Sequence, residues 1–228
     1  MNDTETKNTA VKAPALMSTR PVTAQDALDQ CEKLSPMMVH YCQTKTGLTD
    51  PANTILFYRL GDFYEMFFED ATLVSKELEL TLTGKDCGME ERAPMCGIPY
   101  HAAEGYINRL VENGHKVAIC EQMEDPKQAK GMVKREVIRV VTPGTTLIPQ
   151  GLDETKNNYI MSIVCMEGCF GISTADISTG QCFVTEMDKP RRLVDEITKF
   201  MPAEIICNQS FLLCGIDVED LRTRLHIC

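Results

Sequence analysis

Thr-Ile-Leu-Phe-Tyr-Arg-Leu-Gly-Asp-Phe-Tyr-Glu-Met-Phe-Phe, residues 54–68, contains two runs of aromatic and aliphatic residues separated by Gly61-Asp62. The composition predicts strand, tight turn, strand. Alternation along the second run decides which side chains share a face. Phe63 and Glu65 project from one side and Tyr64 from the other, so an aromatic plate and a carboxyl group stand together. Spacing alone allows two readings: a pair that probes a flat nucleobase, or a core-filling Phe63 beside a solvated edge carboxylate.

On the N-terminal side, Ser35-Pro36 supplies an N-cap and an N1 proline for a helix ending near Gly47. Before it, Thr23 with Asp26 resembles a capping pair opening a short helix through Leu34. Residues 1–22 have no usable apolar period and read as a disordered leader. On the C-terminal side, Asp70 can cap a helix carrying Leu73, Val74, Glu77 and Leu78 on helical spacing. A polar loop from Gly84 to Pro94 follows, then a short strand at Met95–Ile98, a helix from His101 to Asn113 stopped by Gly114, and a strand at Lys116–Glu121. Val137–Val141 is a further strand, closed by Thr142-Pro143-Gly144.

Residues 145–157 lack periodicity and hold Pro and Gly, which marks a linker. Beyond it, strands at Tyr159–Met166, Cys169–Ile177 and Gln181–Glu186 are joined by short turns. A helix over 190–200, a strand at Glu204–Cys207 and a partly helical segment complete the chain. The fold class is mixed α/β, of the α+β kind, divided as leader 1–22, first domain 23–144 and second domain 145–228. The second sheet stops short of completion at Cys228, which reads as a boundary inside a longer protein.

The formal net charge of -10 and pI near 4.9 exclude nucleic-acid binding by bulk electrostatics, so any such contact must be local. One patch goes against this balance. Between Pro126 and Arg139, Lys127, Lys130, Lys134, Arg135 and Arg139 face the single acid Glu136. Eleven cysteines, several inside apolar runs such as Val117–Cys120, behave as small hydrophobes and fit a reducing cytoplasm. Cys165 and Cys169 lack a matching pair for zinc. No apolar run is long enough for a membrane span, and no Gly-x-x-x-x-Gly-Lys-Ser/Thr loop is present to cradle ATP phosphates.

Five segments, taken in order, carry a resemblance: Ser-Pro-Met-Met, Phe-Tyr-Arg-Leu-Gly-Asp-Phe-Tyr-Glu-Met-Phe, Met-Cys-Gly-Ile-Pro-Tyr-His, Val-Ala-Ile-Cys-Glu-Gln and Val-Thr-Pro-Gly-Thr. The chain from Leu34 to Asn208 resembles the start of the MutS family of DNA mismatch repair proteins. The resemblance implies a mixed-sheet mismatch-binding domain followed by part of a ribonuclease-H-like connector domain. It implies that Phe63 is an aromatic wedge stacking on a mispaired base from the minor groove, with Glu65 hydrogen-bonding that base. Phosphates around Glu65 would favour its protonated, donating form. Lys85, Met95, Lys134 and Arg135 are implied at the DNA backbone or groove, while His101 is read as structural at a helix start. The implied partners are double-stranded DNA with mispairs or small loops, the MutL protein and a second copy of the complete protein. ATP and magnesium belong to parts of complete members beyond this chain, and this chain itself calls for no cofactor and no catalysis. Two alternatives stand beside this reading. One is a metal-dependent nuclease using Asp176 with Glu186 and Glu204, and the other is a protein-docking connector module.

Overall fold

The computed structural model describes residues 23–30, 33–89, 91–124, 131–146, 157–225 and 227. The leader 1–22, most of the linker, and Lys127 and Lys130 of the basic patch lie outside the described residues. The elements in order are α1 (Ala24–Gln30), α2 (Pro36–Thr46), β1 (Thr54–Leu60), β2 (Phe63–Phe67), α3 (Phe68–Glu77), β3 (Thr83–Lys85), β4 (Ala93–Pro99), α4 (Ala103–Glu112), β5 (Lys116–Gln122) and β6 (Arg135–Val141). They continue with β7 (Tyr159–Met166), β8 (Cys169–Asp176), β9 (Gln181–Met187), α5 (Pro190–Phe200), β10 (Glu204–Cys207), α6 (Gln209–Leu212) and α7 (Val218–Leu225). The result is a mixed α/β structure with two mixed sheets. None of its described helices is long and apolar enough to cross a membrane.

The first sheet has six strands in the order β3-β4-β2-β1-β5-β6, antiparallel except for the parallel pair β1 and β5. Strand alternation gives it two buried faces. Ile55, Phe57, Tyr64 and Met66 pack beneath α3 and α4 with Val74, Ile107 and Leu110. Leu56, Tyr58 and Phe67 pack on the opposite side beneath α1 and α2 with Ala27, Met38 and Tyr41. Burying a side chain of this size is worth roughly 1.5–3 kcal/mol, so the two faces together fix the register.

Several local expectations need correction. The first helix spans Ala24–Gln30 and Leu34 lies outside it, although Thr23 and Asp26 do exchange backbone–side-chain hydrogen bonds at its start. A three-residue strand, β3, lies at the edge of the segment read as a polar loop. Asp70 does not cap: α3 begins at Phe68, and the Asp70 carboxylate turns inward. There, Lys45 Nζ donates to Asp70 Oδ1 at 2.6 Å and to the Thr54 carbonyl at 2.6 Å, while the Leu56 amide donates to Asp70 Oδ2 at 2.8 Å. This network joins α2, the start of β1 and α3.

The second sheet has the order β10-β7-β8-β9, with β10 parallel to β7 and the remaining pairs antiparallel. One face is covered by α5 through Leu193 and Ile197, with Phe211 and Leu221 beside them. The segment after β6 docks onto this sheet. Glu204, at the start of β10, accepts from Thr142 Oγ1 at 2.5 Å and the Gly144 amide at 3.3 Å, and Asn158 Nδ2 donates to the Pro143 carbonyl at 2.9 Å. A Cβ on Gly144 would stand 2.9 Å from the Glu204 Cβ and 3.1 Å from the Ile160 Cβ, so glycine is required there by close approach.

Burial pushes the Asp70 carboxyl up to about 6, against the pull of Lys45. The folded state therefore holds this proton more tightly than the unfolded chain, whose aspartates ionise near 3.9. The contribution of this carboxyl is present below about pH 4 and is lost as pH rises through about 6. Lys45→Met leaves a buried carboxylate unpaired and should cost roughly 3–5 kcal/mol at pH 7 and clearly less at pH 5, where Asp70 can take up a proton. Urea unfolding at the two pH values checks this, and an equal loss at both would contradict it.

Candidate nucleic-acid interface

The two-residue turn between β1 and β2 pairs Leu60 with Phe63, and Gly61 adopts φ +58 in open space, so its glycine is required by conformation and not by crowding. Phe63 stands just past the turn and is 47% exposed. Two residues on, Glu65 shares its face and is partly covered, while Tyr64 and Met66 are buried on the other side. The core-filling reading of Phe63 is therefore not what the fold realises. The β4 residue opposite Glu65 is Gly97, which has no side chain to lay over it. Lys85, from the edge strand β3, brings its Nζ to 2.5 Å from Glu65 Oε2 and lies 5.6 Å from the centre of the Phe67 ring.

The turn is braced from the reverse face by residues to which sequence reading gave no role. Arg59 Nε donates to the Gly61 carbonyl at 2.5 Å, its Nη1 donates to Glu121 at 3.1 Å, and its guanidinium lies 3.6 Å over the Tyr100 ring. Tyr64 donates its hydroxyl to the same Glu121 carboxylate. Burial, then Glu121, pushes that phenol up to about 12, so it remains a donor. The Tyr100 amide donates to the Asp62 carbonyl at 3.0 Å. The available signal was Arg59 lying opposite Tyr64 in the strand pairing.

The remaining candidates divide. Met95 is half-buried against the α1/α2 side, its carbonyl and sulfur taking the Thr83 hydroxyl at 3.1 and 3.7 Å. The Lys134 side chain is 68% exposed and pairs with Glu136 at 2.6 Å. Arg135 is not part of a solvated charge run: it is 8% exposed, donating from Nε to the Arg59 carbonyl and from Nη1 to the Val133 carbonyl, both at 2.8 Å. Its guanidinium also lies 5.2 Å from the centre of the Tyr58 ring. His40, held below the usual imidazole range by burial and then by Arg135, meets the Tyr58 hydroxyl at 2.9 Å through Nδ1. His101 is exposed in the turn preceding α4, its ring 5.9 Å from Tyr100. Because β6 is antiparallel to β5 and β5 parallel to β1, Lys134 and Arg135 lie at the same end of the sheet as the Gly61-Asp62 turn.

The carboxylates considered for a metal do not converge. Asp176 lies on the covered face of the second sheet, and its Oδ1 accepts from the Ser178 amide and hydroxyl at 2.9 and 2.6 Å and from the Thr179 amide at 3.3 Å. Glu186 pairs with Gly171 on the opposite face, and Glu204 is occupied by Thr142 and Gly144. No cluster of three or more metal-ligating side chains occurs among the described residues.

Comparison with known proteins finds relatives over most of the chain. Residues 35–149 match the family model for MutS domain I, and residues 158–224 match that for MutS domain II. A DNA mismatch repair protein MutS from Lachnoclostridium phytofermentans is 64% identical over 195 residues, covering 86% of this chain and 21% of that protein. Proteins of the same description from Acetivibrio thermocellus and Clostridium tetani are 55% and 56% identical, each over 78% of this chain and 20% of the relative. The chain thus spans about a fifth of the length of these relatives. With domain I matched across the first sheet and domain II across the second, this chain belongs to the MutS family.

Proposed function

We propose that this chain inspects DNA base pairs for mismatch repair, with Phe63 as the inserted wedge and Glu65 as the polar group that meets the same base. The observation that carries this reading is a large aromatic residue standing 47% exposed at a braced turn, with a carboxylate on the same face. An aromatic ring entering from the minor groove must separate a base step at a cost of a few kcal/mol, and faulty pairing lowers that cost. The wedge thereby turns local weakness of the duplex into affinity without reading sequence. The Arg59, Tyr100 and Glu121 brace supports the reading because a wedge works only if its turn does not yield. Lys134 and Met95 supply positional contacts at the backbone and groove, and Arg135 supports this edge from beneath through the Arg59 carbonyl.

Glu65 gives the negative side of the discrimination. Where a base offers it a hydrogen bond, its charge is compensated, and where the stacked, paired duplex offers none, the carboxylate repels phosphate. The chain carries no phosphate-cradling loop, so we assign ATP and magnesium binding, and pairing of two copies, to the four fifths of complete relatives outside it. For the second sheet we favour docking of MutL. The support is its open face, where Met166, Val184 and Ile206 are 66%, 80% and 52% exposed.

Three outcomes test this assignment in a complete protein carrying this chain as its front end. Phe63→Ala should remove most of the preference for a G·T duplex, a loss of roughly 1–3 kcal/mol, while salt-sensitive binding to paired DNA persists. A titration in which the variant keeps its preference would refute the wedge. Glu65→Gln removes charge and keeps a donor, so affinity for paired DNA should rise and discrimination fall, whereas unchanged affinity for both duplexes would refute the repulsion argument. Val184→Asp should weaken MutL capture with DNA affinities intact, and full MutL binding by that variant would remove this face from consideration.

A further inference from the structure

Glu65 does not stand free beside Phe63. Its Oε2 is 2.5 Å from Lys85 Nζ, and the two side chains are only 16% and 31% exposed, so the pair is better shielded than an open surface bridge. Among the described residues no other cation forms an ion pair with Glu65. Its neighbours on both adjacent strands leave its direction open. Gly97 on β4 has no side chain, and Tyr58 on β1 commits its hydroxyl to His40. A Cβ at Gly97 would lie 3.4 Å from Glu65 Cγ, an ordinary contact, so the β4 position beside the side chain is bare without being crowded. Lys85 is thus the group that sets where the carboxylate points, and its ammonium is steadied near the Phe67 ring.

We infer that Lys85 is a specificity-determining positioning residue that acts through Glu65, orienting the carboxylate toward a base beside Phe63, and is not a stand-alone phosphate contact. This rests on the wedge reading and deepens it. A lysine committed to a phosphate would contribute equally to every duplex. A lysine committed to Glu65 contributes to the difference between duplexes.

The test is a double-mutant cycle in a complete protein carrying this chain, reading the ratio of affinities for a G·T duplex and its paired control across a salt series. Lys85→Ala should lower that ratio about fivefold, a change typical of coupled neighbours, and Lys85→Arg should keep it within about twofold. In a Glu65→Gln background Lys85→Ala should change the ratio no further, and the slope of log affinity against log salt should stay as in the unmodified protein. Lys85→Met, which keeps the stem near Phe67 and removes only the charge, should repeat the Lys85→Ala result and guards against a local folding defect. A preserved ratio with parallel weakening of both duplexes, a salt slope reduced by about one, or additivity with Glu65→Gln would each overturn the inference. Phe63→Ala in the same titration separates the two claims. If that variant keeps mismatch preference, the wedge reading fails. If it loses the preference while the Lys85 cycle is additive, only the role of Lys85 fails.

Discussion

Two-sided burial of the first sheet governs everything at the tip of β2. Tyr64 and Met66 lie beneath α3 and α4, and Phe67 lies beneath α1 and α2. Because side chains alternate strictly along a strand, those three burials leave Phe63 and Glu65 a single face, and a one-residue slip would bring Tyr64 outward and carry apolar surface into water. Phe63 is exposed beside the turn, whereas Phe67, four residues on along the same face, is fully buried. The inward network of Lys45, Asp70, Thr54 and Leu56 ties α2 to α3 and the start of β1, so Phe63 rests on a core closed from both sides.

Electrostatics adds a second layer. A chain of net charge -10 approaches phosphate at a disadvantage, and it places one of its carboxylates beside the ring proposed to enter the duplex. On the proposed reading, binding is weak by default and improves where a base pair is faulty. Among the described residues, the local cations are few and mostly engaged: Lys85 with Glu65, Arg135 with two carbonyls, Arg59 with Glu121 and the turn. Charge near the turn serves shape more than attraction.

Much of this was legible in the sequence where the physics is local. Alternation in Phe63–Phe67, the Ser35-Pro36 cap and the Gly61-Asp62 turn depend on neighbours within a few residues, and each appears in the fold. Most of the failures are long-range. Asp70 meets Lys45 across 25 residues and so cannot be distinguished locally from a capping residue. Arg135 gives its guanidinium to a carbonyl 76 residues away, which no count of charge in a window can anticipate. The strand β3 has three residues and no β-prone run, and exists because β4 offers it an edge. The ion pair between Glu65 and Lys85 needed the sheet order β3-β4-β2 before it could be seen.

The central claim is that the Phe63 ring enters the duplex at the faulty pair. The most direct measurement replaces Phe63 with a photoreactive phenylalanine analogue in a complete protein carrying this chain and maps the light-induced adducts on a duplex with a single G·T mispair. The account predicts adducts confined to the mispaired nucleotides and their immediate stacking neighbours, and almost none on the fully paired duplex. Adducts spread evenly along both duplexes, or none at the mispair while binding persists, would contradict it.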